Sequence, residues 1–171
     1  MPSLVLTVIG PDRPGLVRAL AQTVTAHGGN WLESRMARLG GQFAGIVLVE
    51  APEAILADLR ALEREGLRIN VQSGSPATAP TGHHLMLEVV GNDRPGIVRD
   101  VAQVLAAYGA NIEELITDVA SGSFSGEALF RARARIRVPD DTAMTAIQEG
   151  LEQLGNEMMV DIQPAGTGKA A

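Results

Sequence analysis

The chain has 171 residues, 46% of them hydrophobic, which is enough to bury a core and excludes a disordered tail. Its 14 basic and 20 acidic residues leave a formal charge of -6, which argues against binding nucleic acid through bulk charge. With no cysteine there are no disulfides, thiol nucleophiles or Cys-based metal sites, and no apolar run approaches the ~20 residues of a membrane span.

In chain order, Leu4–Ile9 is an apolar, β-branched run, predicted as a strand that Gly10 and Pro11 stop. Pro14 suits the first turn of a helix, which Leu16, Val17, Leu20 and Val24 continue and Gly28-Gly29 ends. Trp31–Leu39 and Phe43–Glu50 read as strands, with Gly40-Gly41 as their hairpin turn. Pro52 opens a second helix with Ile55, Leu56, Leu59 and Leu62 on one face, and Gly66 stops it. Leu67–Gln72 is a last strand. Ser73–Gly82 holds no large apolar residue and reads as a linker.

The same order then returns. Strands are predicted at Leu85–Val90, Ile112–Val119, Ala128–Val138 and Met158–Gln163, with helices at Pro95–Tyr108 and Thr142–Leu154. Gly10-Pro-Asp-Arg-Pro-Gly-Leu-Val-Arg18 recurs as Gly91-Asn-Asp-Arg-Pro-Gly-Ile-Val-Arg99, and 12 of 21 positions are identical between 10–30 and 91–111. Identity at that level marks a duplication, because two unrelated amphipathic helices would match only in residue class. The fold class is therefore α+β. Two ferredoxin-like βαββαβ domains are expected, each a four-stranded antiparallel sheet in order 4-1-3-2 with two helices on one face. Their bounds are 1–73 and 84–164, with a linker at 74–83 and a flexible tail at 165–171. Domains of roughly 75 residues are small, so each sheet is expected to gain burial from its neighbour or from a second chain.

The copies differ in charge and in their helix-free faces. Residues 1–81 carry seven Arg and seven acids, whereas 82–171 carry six Arg, one Lys and thirteen acids, so the whole -6 lies in the second half. The first sheet is apolar on both sides at Leu4–Ile9 and Ile46–Val49, and a sheet of that kind should be covered on both faces. In the second, Arg131, Arg133, Arg135 and Arg137 line one face of a strand. Glu88, Glu113, Glu114 and Asp118 are in reach for cross-strand pairing, so a balanced solvated face is favoured over a docking stripe.

Chemistry concentrates at the repeated strand–helix turn. Its glycines allow close backbone approach, and the N–H groups that open a helix lack intrahelical partners and suit a carboxylate. Asp12 and Asp93 can cap those N–H groups or meet an ammonium group. Together these features match a free amino acid. Asn92 replaces Pro11, so the two turns are expected to differ in conformation. His27, His83 and His84 read as solvated, and the last two point to opposite sides of a strand, so no metal site is expected. Trp31 and Ile112 share one repeat position and read as core or interface residues. No nucleophile–base pair is found, and no catalytic residue or cofactor is expected.

The βαββαβ order, with Gly-x-Asp-Arg-Pro-Gly after the first strand and Gly-x-Asn before the second, resembles the ACT regulatory domain. In the second copy Ser121-Gly-Ser-Phe-Ser-Gly-Glu-Ala-Leu-Phe130 and Ile136-Arg-Val-Pro139 resemble the glycine cleavage system transcriptional repressor family. The resemblance implies a cytoplasmic amino-acid sensor rather than an enzyme, with glycine a candidate ligand. It implies sites at Asp12, Arg13, Pro14, Gly15 and Asn30, and at Asp93, Arg94, Pro95, Gly96 and Asn111. It also implies a regulatory protein partner, no direct contact with nucleic acid or membrane, and pairing of ACT domains within or between chains. The alternatives are a ligand-free interaction module and a detached regulatory subunit of an enzyme of amino-acid metabolism.

Overall fold

A computed structural model of the chain describes residues 1–74, 81–121 and 126–166. Most of the expected linker (74–83) and tail (165–171), and the Gly-Ser-Phe-Ser stretch at 122–125, lie outside the described residues. The chain divides into two compact units, Met1–Thr78 and Ala79–Ala171.

In the first unit β1 (Ser3–Pro11), β2 (Asn30–Leu39), β3 (Gln42–Glu50) and β4 (Arg68–Ser73) form a sheet in the order β2-β3-β1-β4. The helices are α1 (Leu16–Ala26) and α2 (Ile55–Ala61), the second followed by a 3₁₀ turn at Leu62–Glu65. The second unit repeats this with β5 (His83–Asn92), α3 (Ile97–Ala107), β6 (Asn111–Ser121), β7 (Ala128–Val138), α4 (Met144–Glu152) and β8 (Met159–Pro164), in the order β6-β7-β5-β8. All pairings are antiparallel. These are two ferredoxin-like units in the strand order that the element sequence demands.

Local chemistry explains the elements. Gly40 and Gly41 have φ of 57° and 78°, so the β2–β3 hairpin has both central residues left-handed, a geometry that twists with the strands and favours glycine. The helices begin later than expected. Gly15 and Gly96 are the N-caps, with φ of 92° and 85°, so Pro14 and Pro95 lie in the turn before the helix rather than in its first turn. The run from Pro52 to Gly66 divides into a seven-residue α-helix and the 3₁₀ turn, closed by Gly66 in the left-handed region.

Each core lies between one sheet face and its helices. Leu4, Leu6, Val8, Val47 and Val49 meet Leu16, Leu20, Val24, Ile55 and Leu59 in the first unit. Leu85, Leu87, Val89, Ile136 and Val138 meet Ile97, Val101, Leu105, Ile147 and Leu151 in the second. Trp31 and Ile112 pack against these cores. Volumes are exchanged between partners on neighbouring strands. The first unit pairs Ser34 with Val47 and Met36 with Gly45, where the second pairs Leu115 with Ala134 and Thr117 with Ala132. A larger residue on one strand is matched by a smaller one opposite, which keeps the interior filled.

The helix-free faces differ as their sequences do, with one correction. The outward face of the first sheet (Val5, Ile9, Ala44, Ile46, Leu48) is not covered within its own unit, where Ile9 is 45% and Ile46 55% exposed. Strand alternation places these residues opposite the helices, and no described element of the unit lies beyond them. On the second face each arginine has a carboxylate within reach. Arg131 pairs with Asp118 at 2.6 Å and Arg133 with Glu88 at 3.6 Å, while Glu113 lies 3.6 Å from Arg135 and 3.2 Å from Arg137. A bulge between Ile112 and Glu114 turns Glu113 toward both arginines and toward His84, 3.0 Å away.

Candidate functional site

The repeated turns leave the ends of β1 and β5 and enter α1 and α3. In both, the aspartate N–H is anchored where the next-but-one strand begins. Asp12 N–H donates to Gly41 O at 3.0 Å and Asp93 N–H to Ala128 O at 2.8 Å. With the two cap glycines also alike, the turns share one backbone shape despite the Pro11/Asn92 difference, contrary to expectation. The difference appears in the struts that hold them. In the first unit Arg13 donates to Glu65 O and lies 3.7 Å from the Glu65 carboxylate. In the second, Asn92 Nδ2 donates to Glu157 at 2.9 Å. Each strut ties the turn to the segment between the second helix and the last strand.

Beside each turn is a cleft. The first, of about 480 Å³, is lined by Gly10, Pro11, Gln42, Glu63, Gly66 and Arg68, among others. The second, of about 390 Å³, is lined by Gly91, Asn92, Arg94, Glu127, Asn156 and Glu157, among others. Gly10 is required by packing, since a Cβ there would lie 2.9 Å from Gly66 O. At Gly15 a Cβ would meet nothing within 4 Å, so this glycine serves the positive φ alone.

The aspartates do not cap. Neither α1 nor α3 has a side-chain hydrogen bond at its N-terminus, and the first intrahelical bonds are Ala19 N–H to Gly15 O and Asp100 N–H to Gly96 O. In α3 Ile97 N–H also donates to Arg94 O at 3.3 Å, and the remaining N–H groups of each first turn have no intrahelical acceptor. Asp12 is instead held by Arg38, whose Nε donates to Oδ2 at 2.5 Å. Asp93 has no side-chain hydrogen bond or ion pair among the described residues, because the position equivalent to Arg38 is Val119. Arg94 donates to Asp100 at 2.6 Å and Arg99 to the same carboxylate at 2.8 Å, and these two guanidiniums hold the Asp100 carboxyl below the usual carboxylate range.

Asn30 and Asn111 are not brought to the turns. Asn30 pairs with Glu50, itself opposite Ser3, while the turn follows Pro11 at the other end of β1. Asn111 pairs with Arg137, opposite His84, and the turn follows Asn92. Eight residues of strand separate the two ends, about 26 Å. The partner of Asp12, Arg38, was legible only through register. The order β2-β3-β1 sets the Gly40-Gly41 hairpin beside the end of β1, and Arg38 lies two residues before that hairpin. Among the described residues no group of three or more His, Asp or Glu could hold a metal ion. None of the described helices is long and apolar enough to cross a membrane.

The ACT-domain family model matches residues 3–72 and 83–164. The chain belongs to the ACT-domain family. As a tandem ACT protein it is 25% identical over 171 residues to the glycine cleavage system transcriptional repressor of Escherichia coli (strain K12), covering 96% of this chain and 87% of that one. A crystal structure of an unknown protein from Galdieria sulphuraria superposes with a TM-score of 0.84 at 31% identity, over 96% of this chain and 98% of that chain. A second, assigned provisionally as a glycine cleavage system transcriptional repressor, superposes with a TM-score of 0.68 at 21% identity over the same shares, a likeness of fold.

Proposed function

We propose that this tandem ACT protein senses a free amino acid at its second strand–helix turn and transmits occupancy through contact with a regulatory protein. The observation that carries this reading is an Asp93 carboxylate without a partner among the described residues, in the turn that leads to the Val98 and Arg99 N–H groups, which have no intrahelical acceptor. An α-amino acid presents the complementary charges, an ammonium for Asp93 and a carboxylate for the helix N-terminus. Arg94 and Gly96 shape this turn, Arg94 by its bond to Asp100 and Gly96 by its left-handed backbone. Pro95 fixes the chain between them. Membership of the ACT family and full-length likeness to a transcriptional repressor support a regulatory role over catalysis, and make glycine the first ligand to test.

The first turn favours the other reading, of a module without ligand. Asp12 is already neutralised by Arg38, and Arg13 ties the turn to the Glu65 segment. Asn30 and Asn111 would reach a bound ligand only from a different module set against the turn. A thermal-shift series across glycine and the other amino acids tests the proposal. A concentration-dependent rise in Tm that is lost in Gly96→Trp supports it, because a ligand that binds only the folded state stabilises by RT ln(1 + [L]/Kd). No rise with any amino acid overturns it in favour of the ligand-free module.

A further inference from the structure

The two units form an internal comparison. At matching register positions of the central strands, β3 sends Ala44, Ile46 and Leu48 outward where β7 sends Arg131, Arg133 and Arg135. On the neighbouring strands Thr7 faces Ile46 where Glu88 faces Arg133. The same fold thus has one face built for water and one that is not. The first carries a shallow groove of about 540 Å³ over Thr7, Ile9, Ala44, Ile46, Arg68 and Asn70, among others. An apolar patch of Ile9, Ala44, Ile46 and Leu48 rimmed by Thr7, Arg35, Arg68 and Asn70 is of the kind that marks an interaction site.

Its charges say what covers it. Arg68, on the β4 edge, makes no ion pair or hydrogen bond among the described residues. Glu33, on the β2 edge, is 61% exposed, pairs among the described residues only with Arg35 at 2.8 Å, and keeps capacity to accept more. Glu33 lies level with Val5 and Leu48, and Arg68 level with Ile9. Three interstrand steps of ~4.8 Å and four residues of ~3.3 Å separate them, so they occupy opposite corners of a near-square of about 14 by 13 Å. The apolar residues lie between these corners. A two-fold axis in the plane of the face that sets Glu33 of one copy on Arg68 of another makes the same pair at the opposite corner. It also crosses the two sets of strands at close to 90°, one of the two standard sheet packings.

We propose that two copies of this chain associate through the helix-free faces of their first units, with crossed strands and two reciprocal Glu33–Arg68 pairs. Sedimentation velocity on the full chain tests this. The wild type should have the mass of at least two 17.9 kDa chains. Ile46→Arg, which installs the residue the second unit carries at that position, should halve that mass and leave the far-UV circular dichroism unchanged. Arg68→Glu and Glu33→Arg should each weaken association tenfold or more. Mixed one to one, the two charge-reversed chains should recover it, because both corner pairs of the heterodimer are then of opposite sign. A monomeric wild type at about 100 µM overturns the proposal. So does wild-type mass in Ile46→Arg, which would put the interface elsewhere, and so does a mixture that associates no better than its components.

Discussion

Arg38 sits on the carboxylate of Asp12 at 2.5 Å, and Asp93, the repeat equivalent of Asp12, has no such cation. The two copies of the most repeated segment in the chain are therefore electrostatically unlike. Asp93→Asn should abolish any amino-acid-dependent rise in Tm, while Asp12→Asn leaves it within experimental error. Isothermal titration of both variants with the ligand found by thermal shift checks this. Loss of binding in Asp12→Asn alone would move the site to the first unit.

Asp100 gives a dependence on acid. Arg94 and Arg99 donate to its carboxylate and hold it charged below the usual carboxylate range. A carboxyl depressed in the folded state contributes stability that is fully present above its unfolded value and is lost as pH falls through the folded value. Asp100→Asn should therefore lower Tm at neutral pH, and the difference from wild type should shrink toward zero in acid. Thermal melts of both proteins across that range measure it, and a difference that is constant with pH would contradict the assignment.

Gly45 is held small by its neighbours. A Cβ there would press on Met36 Cγ and lie 2.5 Å from Arg35 O, a backbone atom that cannot swing away. Gly45→Ala should destabilise the first unit by about 1–3 kcal/mol. Chemical denaturation read at Trp31, which packs against the first core, reports that unit. The second unit carries Ala132 at this register position opposite Thr117, so Ala132→Gly should not stabilise it.

The helix pairs are joined by different chemistry. His27 Nε2 lies 2.7 Å from Asp58 between α1 and α2, while in the second unit Tyr108 lies against Gly150, where a Cβ would be 3.0 Å from its ring. Asp58 is 65% exposed, so Asp58→Ala should cost no more than about 1 kcal/mol. Gly150→Asp, which crowds a packed ring, should cost more, and equilibrium melts of the two variants give the comparison.

Periodicity and repetition carried the fold. Alternation along Leu4–Ile9 and Arg131–Arg137, turn glycines at 40–41, and the doubled Asp-Arg-Pro-Gly segment were enough for element order and sheet order, because each is a local signal. The cover of the first sheet was not legible, since a strand apolar on both sides says that a partner is needed and not where it comes from. Pro14 and Pro95 suggested helix starts that lie two residues further on, because the left-handed glycine after each proline takes the capping position. Of the two roles open to the aspartates, capping is taken by neither, and the Asp12 carboxylate is instead bound by Arg38, 26 residues away. Only register between strands reveals that. Asn30 and Asn111 were grouped with the turns by likeness of sequence, whereas strand direction puts them at the far end of each sheet.

The outward residues of β3 and β7 fall on alternate positions of one uninterrupted strand, at 44, 46, 48 and 50 against 131, 133, 135 and 137. The cores do not depend on their identity, since the inward alternates build them. The surface of each module is thus a four-letter word written on a common page. Moving those four side chains between strands would exchange the modules' surfaces while leaving hairpins, helices and turns as they are. After a duplication, one half can acquire a new neighbour through a few outward substitutions while the strand–helix turn stays the same in both.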